Sequence, residues 1–536
     1  MGTCGGCSKL DHITLSMKFF IDQHGCAKNQ VDGELIINLL KKKDWEQTFE
    51  ASEADLIVVN SCGFIESAKT ESINAVMSAR QMYPRAKILL AGCLAERYAN
   101  DLKDDLTEAD GFFGNGDLNQ IYKVLEPLMK NERPVLVPEQ KGVCCGDRNL
   151  LLSFKGTAFV KITEGCNNRC SFCAIPIIRG DLRSRKADEI VSEIKELVSK
   201  GVYEINLIGQ DLAAYGTGAM DNCFGDGRTF LPNGTPGSEV LTQMDADGRR
   251  LNDGENNVRV NPAESSSKSE SGLARLIKMI SQIEGTFAVR LLYIHPDHFN
   301  EDILPVMKAD SRFLHYFDIP FQNGDDEIIK KMNRVGSRQK YKALIEKIRS
   351  VFPDAAIRTT FMAGFPGESD EAFENTKAFL RQIATDWSGC FSYSKEDDTP
   401  AYSFKKQVPH KTAEKRAAEL VEIQAEITRE RLKTRCGGEY DILIEEVLSE
   451  SNENPDEGLA IGRAWFQAPE VDGSVVVRYD RSSADESNAV KSGRLVRVKV
   501  ISSGDVDLNG DFVCDSPLNV KIAKSDGLEF AQEINK

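Results

Sequence analysis

The stretch Thr163-Glu-Gly-Cys166-Asn-Asn-Arg-Cys170-Ser-Phe-Cys173-Ala-Ile-Pro176 decides how the rest of the chain is read. It sets three cysteines at a three-then-two spacing in a loop that follows a strand-like run, Phe159-Val-Lys-Ile162. Few structural needs ask for that pattern. Three thiolates so spaced can hold three corners of a cubane iron-sulfur cluster, which normally takes four Cys ligands, so one iron stays open for chemistry. A zinc knuckle is the alternative, but structural zinc takes four protein ligands and no fourth His or Cys follows nearby.

Working outward, residues 187–200 carry Ile190, Ile194, Leu197 and Val198 at helical spacing, and Gly201 ends that helix. The next strand, over 204–208, ends in the polar Gly209-Gln210-Asp211. A helix over 273–283 and strands over 288–294, 313–319 and 356–362 continue the alternation. The rhythm predicts a partial (β/α) barrel over 152–405, whose polar strand end beside Gly209 presents hydrogen bonds to a bound cofactor. Residues 217–271 break it with an excess of Gly, Asn, Ser, Asp and Pro, and read as an insertion.

Ahead of the barrel, three strand-loop-helix units each carry one cysteine at the carboxyl end of the strand: Cys26, Cys62 and Cys93. In an open parallel sheet that edge is where ligands gather, so residues far apart in sequence can meet there. A parallel α/β sheet domain is therefore expected over 17–135, with a second cluster site. Cys4 and Cys7 form a CxxC pair in a polar, Gly-rich leader, and Cys144-Cys145 is a vicinal pair; neither receives a role. After the barrel, residues 408–434 read as a charged connecting helix. Strand-like segments separated by turns over 435–505 read as a small antiparallel β-barrel, and 506–536 as a tail.

At 536 residues the chain is long enough for roughly three domains. Its hydrophobic content of 41% and charged content of 28% suit a globular protein. Neither a membrane span nor a signal peptide is read, so the expected compartment is the cytoplasm, where 14 cysteines serve as metal ligands or buried thiols before disulfides. Lys and Arg number 67 against 83 Asp and Glu, a balance that disfavours a general nucleic-acid binder and suits a basic partner.

The Cys166-Cys170-Cys173 loop resembles that of the radical S-adenosylmethionine (SAM) superfamily. The resemblance implies a [4Fe-4S] cluster whose open iron is chelated by the amino and carboxylate groups of SAM. It also implies reductive cleavage of SAM to methionine and a 5'-deoxyadenosyl radical, and it puts Gly209, Gln210 and Asp211 near the SAM amino group. Gly25-Cys26-Ala-Lys-Asn29, Val59-Asn60-Ser-Cys62-Gly-Phe64-Ile and Gly92-Cys93-Leu94 are similar to the amino-terminal domain of the methylthiotransferases, radical SAM enzymes with two [4Fe-4S] clusters. By that likeness Cys26, Cys62 and Cys93 hold the auxiliary cluster, and the terminal barrel is a TRAM domain. Asp318 to Asn323, Lys331 to Arg334, Arg358 to Thr360 and Gly364 to Glu368 match as well, except that His is more usual where Asn323 stands. Asn323 can donate a hydrogen bond but cannot shuttle a proton near neutrality.

One branch of the methylthiotransferases modifies adenosine in transfer RNA; another modifies an aspartate on the twelfth small-subunit ribosomal protein. Three features favour the protein branch: Asp at 211 where the RNA branch usually has Asn, the Glu396-Asp397-Asp398-Thr-Pro-Ala401 stretch, and an acidic terminal barrel. Over 437–505 there are 7 Lys and Arg against 14 Asp and Glu, a poor match for a phosphate backbone. The resemblance then implies hydrogen abstraction from the aspartate β-carbon, sulfur delivery from the auxiliary cluster and methyl transfer from a second SAM. It also implies a flavodoxin- or ferredoxin-like electron donor and a sulfur donor. Transfer RNA stays as the alternative substrate.

Overall fold

Leu56-Ile-Val-Val59 and Ile88-Leu-Leu-Ala91 show no polar alternation, because strands covered by helices on both faces are apolar throughout. They lie in the fully buried strands Leu56–Ser61 and Lys87–Gly92, at the centre of a six-stranded sheet. The computed structural model describes residues 16–226, 270–448, 454, 456–521 and 528–531. Cys4, Cys7 and most of the 217–271 segment lie outside them. Among these residues, 16–63 with 67–139 form one compact unit and 64–66 with 140–531 the other.

In the first unit all strand pairings are parallel, in the order Glu46–Gln47, Lys18–Gln23, Leu56–Ser61, Lys87–Gly92, Gly111–Phe113, Val135–Leu136. The order reverses between Lys18–Gln23 and Leu56–Ser61. Such a switch point opens a crevice at the carboxyl ends of the strands, because the chain leaves the two strands in opposite directions.

The second unit holds a six-stranded parallel sheet in simple sequential order: Thr157–Lys161, Glu204–Ile208, Ala288–Leu291, Phe313–Asp318, Ala356–Ala363, Trp387–Ser392. Helices Ala187–Ser199, Gly272–Ile280, Arg338–Val351 and Asp370–Ile383 cover it, each burying its apolar stripe. Helix His410–Lys433 packs on the last two strands.

A closed barrel of five strands follows, and three details of the sequence reading change here. Its last strand, Leu508–Asp515, lies in the residues read as a tail and pairs in parallel with Val475–Asp480, so the barrel is not wholly antiparallel. Gly510 hides that strand from a propensity reading, yet a side chain there would sit 2.5 Å from Val498 Cγ1. Further on, Glu529–Phe530 pairs with Leu150–Leu151, and Leu528 and Phe530 join the main core. Residues 217–226, expected to open the insertion, pack into this unit. Asp221 accepts the Ser184 N–H at 2.9 Å, Cys223 is buried, and the Phe224 ring lies 4.0 Å beneath the Arg275 guanidinium.

The loop between barrel strands Glu457–Arg463 and Val475–Asp480 closes the foot of the sheet. Arg463 pairs with Glu204 at 3.1 Å and with Glu445. Arg290 donates to the Trp465 carbonyl at 2.8 Å, Trp387 Nε1 to the Phe466 carbonyl at 2.8 Å, and Arg358 meets Asp472 at 2.9 Å. Asp472 and Glu445 therefore belong to buried pairs and do not contribute to the barrel's acidic surface.

Candidate active site

In the first unit each of the three cysteines stands where a strand gives way to a helix. Cys26 caps helix Ala27–Lys41, Cys93 opens helix Cys93–Asp105, and Cys62 follows strand Leu56–Ser61. The positive end of a helix dipole favours a thiolate. Glycines let the loops close in: a Cβ on Gly25, at φ +87°, would lie 3.1 Å from Cys62 Cβ, and one on Gly63 would lie 2.6 Å from the Cys93 carbonyl oxygen. The structure thus brings Cys26, Cys62 and Cys93 to one edge at the switch point. Asn115, which the sequence reading passed over, donates to Cys93 Sγ at 3.3 Å. Asn29 ties the loops together by donating to the carbonyls of His24, Asn60 and Ser61. His24 beside them is pushed up to about 9 by its hydrogen bond to Asp22, with Glu71 adding to it.

In the second unit Cys166, Cys170 and Cys173 share the loop after strand Thr157–Lys161. Gly165, at φ +73°, lets that loop pass the Asp181 carbonyl, where a Cβ would lie 2.2 Å from the oxygen. The loop is moored to residues 331–333: Ser171 N donates to the Met332 carbonyl at 3.0 Å, and Asn333 Nδ2 to the Arg169 carbonyl at 2.8 Å. Phe172, Phe365, Tyr393 and Ala401 bury Cys170. Burial pushes the Cys166 thiol well up and the Cys173 thiol up to about 12. Such thiols stay protonated until a metal ion displaces the proton.

Gly209, Gln210 and Asp211 lie at the end of the neighbouring strand with different surroundings. Gly209 touches Thr163 so closely that a Cβ would sit 2.0 Å from Thr163 Oγ1. Gln210 Nε2 reaches Glu164 at 3.5 Å, and Glu164 lies between Lys161 at 2.7 Å and Arg179 at 2.5 Å. Burial alone would raise the Glu164 carboxyl, but those two cations hold it far below the usual range. Thr163 Oγ1 and Gln210 Oε1 are buried without a hydrogen-bond partner. Leaving such groups unmet costs about 1–3 kcal/mol each, and a polar ligand at this strand end relieves it. The residues therefore fit SAM beside a cluster on the three-cysteine loop.

Asp211 has several partners within the chain. Its carboxylate accepts from Asn168 Nδ2 at 3.0 Å, Ala213 N at 3.0 Å, His295 N at 3.2 Å and His298 Nδ1 at 2.8 Å. Against the effect of burial, the His298 hydrogen bond leads in holding it at about 2. Asp211 is thus the hub that fixes the three-cysteine loop to the next strand end. His295 and His298 were missed in the sequence, although His295-Pro-Asp-His298 follows strand Ala288–Leu291 as polar residues do at a ligand-bearing edge. Burial, then Arg334, lowers His295 to about 3. Asn323 is fully buried; it donates to Glu368 Oε2 at 3.2 Å and accepts from Thr376 Oγ1 at 3.0 Å, which gives it a packing role.

Three family descriptions match the chain in order: the uncharacterized protein family UPF0004 over residues 18–114, the Radical SAM superfamily over 160–380 and the TRAM domain over 436–513. A Treponema denticola protein described as ribosomal protein uS12 methylthiotransferase RimO is 47% identical over 91% of this chain and 99% of its own length. A Thermoanaerobacter protein of the same description is 34% identical over 91% and 98%. Among solved structures, the radical SAM methyltransferase TsrM from Kitasatospora setae aligns at a TM-score of 0.46 with 12% identity, covering 72% of this chain and 74% of that one.

Proposed function

The chain belongs to the ribosomal protein uS12 methylthiotransferase RimO family, and we propose that it adds a methylthio group to the β-carbon of an aspartate in that ribosomal protein. The observation that carries the reading is the pair of three-cysteine sets, each at the carboxyl edge of its own parallel sheet. In this reading Cys166, Cys170 and Cys173 hold one [4Fe-4S] cluster, and Cys26, Cys62 and Cys93 hold the auxiliary one. The clusters and SAM, when bound, supply the one-electron chemistry, the sulfur and the methyl group.

The chain's own residues do the rest. Thr163 and Gln210 offer unpaired oxygens to SAM, and Gly209 leaves room for the Thr163 hydroxyl. Asp211 holds the cluster loop against the His295–His298 turn, so the geometry is set before substrate arrives. Phe172, Phe365 and Tyr393 keep water from the loop. The barrel's exposed acids, such as Asp480, Asp485 and Asp505, suit a basic ribosomal protein. A flavodoxin- or ferredoxin-like electron donor and a sulfur donor are proposed partners, and the cytoplasm is the proposed compartment. Among the described residues, no helix is long and apolar enough to cross a membrane.

The test is anaerobic reconstitution with iron and sulfide, then incubation with SAM and a reductant beside two substrates: a peptide of the ribosomal protein and a transfer-RNA anticodon arm. Mass spectrometry should find the methylthio gain on the peptide. A gain on the RNA alone would overturn the substrate assignment.

A further inference from the structure

The three sulfurs of the second-unit loop have unequal surroundings. Cys166 and Cys173 accept the backbone N–H groups of Asn168 and Ile175. Cys170 instead meets two side chains. His295 Nε2 lies 3.9 Å from its Sγ. The other ring nitrogen, Nδ1, accepts the Asp297 N–H at 3.3 Å, so the ring proton sits on Nε2 and faces the sulfur. From a second element, the buried Arg334 side chain also hydrogen-bonds Cys170, while its Nη1 is held by the Pro320 carbonyl at 2.5 Å.

Both donors are fixed by carboxylates. Asp211 accepts the His295 backbone N–H. Asp297 accepts Val335 N at 2.8 Å and Tyr341 Oη at 2.9 Å, which ties the residue after Arg334 to the residue pair after His295. Hydrogen bonds and positive charge on a cluster thiolate stabilise the electron-rich reduced state and so raise the reduction potential.

We propose that His295 and Arg334 are positioning residues that donate to the Cys170 sulfur and together set the potential at which this cluster accepts its electron. The proposal rests on the reading of Cys170 as a cluster ligand. It adds that the three ligands are electronically distinct, with Cys170 the most heavily hydrogen-bonded.

The experiment uses the full chain carrying Cys26→Ala, Cys62→Ala and Cys93→Ala, so that one cluster is reconstituted. Iron near four per chain upholds the ligand reading, as about four irons make one cubane; absence of iron there refutes that reading and this proposal with it. Redox titration followed by electron paramagnetic resonance then compares His295→Leu and His295→Gln with that parent. The expected result for His295→Leu is a tenfold lower ratio of reduced to oxidised cluster at the parental midpoint, a shift of about 59 mV for one electron. His295→Gln, whose amide still donates, should recover most of it. A merely structural role would not be rescued in this way.

A second measurement needs no change at position 295. With 15N-labelled histidine, pulsed resonance on the reduced cluster should show a coupled imidazole nitrogen. An unshifted His295→Leu midpoint or a missing 15N coupling would each overturn the proposal.

Discussion

Replacing Gly209 with Ala puts a methyl group 2.0 Å from Thr163 Oγ1 and 3.3 Å from Leu212 Cδ2. Ordinary contact begins at 3.4 Å, so the hydroxyl must retreat by more than about 1 Å from a fully buried position. Thr163 cannot move alone. It pairs with Ser184, and the adjoining Glu164 is clamped by Lys161 and Arg179. Overpacking of this kind costs about 1–3 kcal/mol, which should lower the thermal midpoint of the unit by a few degrees. Thr163→Ala removes the obstacle, and because Thr163 Oγ1 has no partner, it strands none. We therefore expect Thr163→Ala alone to keep the parental midpoint, and the double variant to recover most of the loss. SAM titration by calorimetry separates the second role: Thr163→Ala should bind SAM several-fold more weakly while melting normally. A parental midpoint for Gly209→Ala, or a double variant as unstable as the single, would refute the steric argument.

Cys62→Ala should lower iron from about eight to about four per chain while deoxyadenosine formation stays measurable; methylthio product from it would overturn the auxiliary assignment. Cys170→Ala should stop SAM cleavage altogether, as read by chromatography of deoxyadenosine. His24 is raised above its unfolded value to about 9, so its contribution to the first unit is complete below about pH 6.5 and lost as pH rises through 9. Melting between pH 6 and 9.5 should show that decline, and His24→Gln should flatten it. Arg463→Leu leaves Glu204 and Glu445 buried without their shared cation, at a cost of about 3–5 kcal/mol; a denaturation midpoint within error of the parent would show that the network holds nothing.

The parallel sheets were legible because their strands are continuous apolar runs, and the two cysteine sets because a strand end is a fixed address in such a sheet. What stayed hidden is tertiary. Asp211 shows no partner in the sequence, because a polar residue at a strand end meets its neighbours only in the fold. Its partners Asn168, His295 and His298 come from the loops that follow two other strands. The barrel's last strand was missed for a similar reason: Gly510 looks like a loop residue until Val498 is placed against it. Asp472 and Glu445 counted as surface acids, because no composition shows that Arg358 and Arg463 reach them inside the fold.

These misses share a logic. Apart from the Gly510 strand, each concerns a polar group whose partner is supplied by a different strand or loop of the unit, and burying such a group is costly unless the partner is in place. Strand Glu204–Ile208 shows the consequence at both ends. Glu204, at its start, is held by Arg290 and Arg463, the latter from the terminal barrel; Asp211, just past its end, is held by Asn168 and His298. An apolar strand could slide or tilt against its neighbours at little cost, but this one cannot shift without stranding charge at its foot or at the three-cysteine loop. The buried charges therefore add little net stability and instead fix position. Position is what a site that steers a carbon radical requires, because a misplacement of about 1 Å can lower a rate by about a hundredfold.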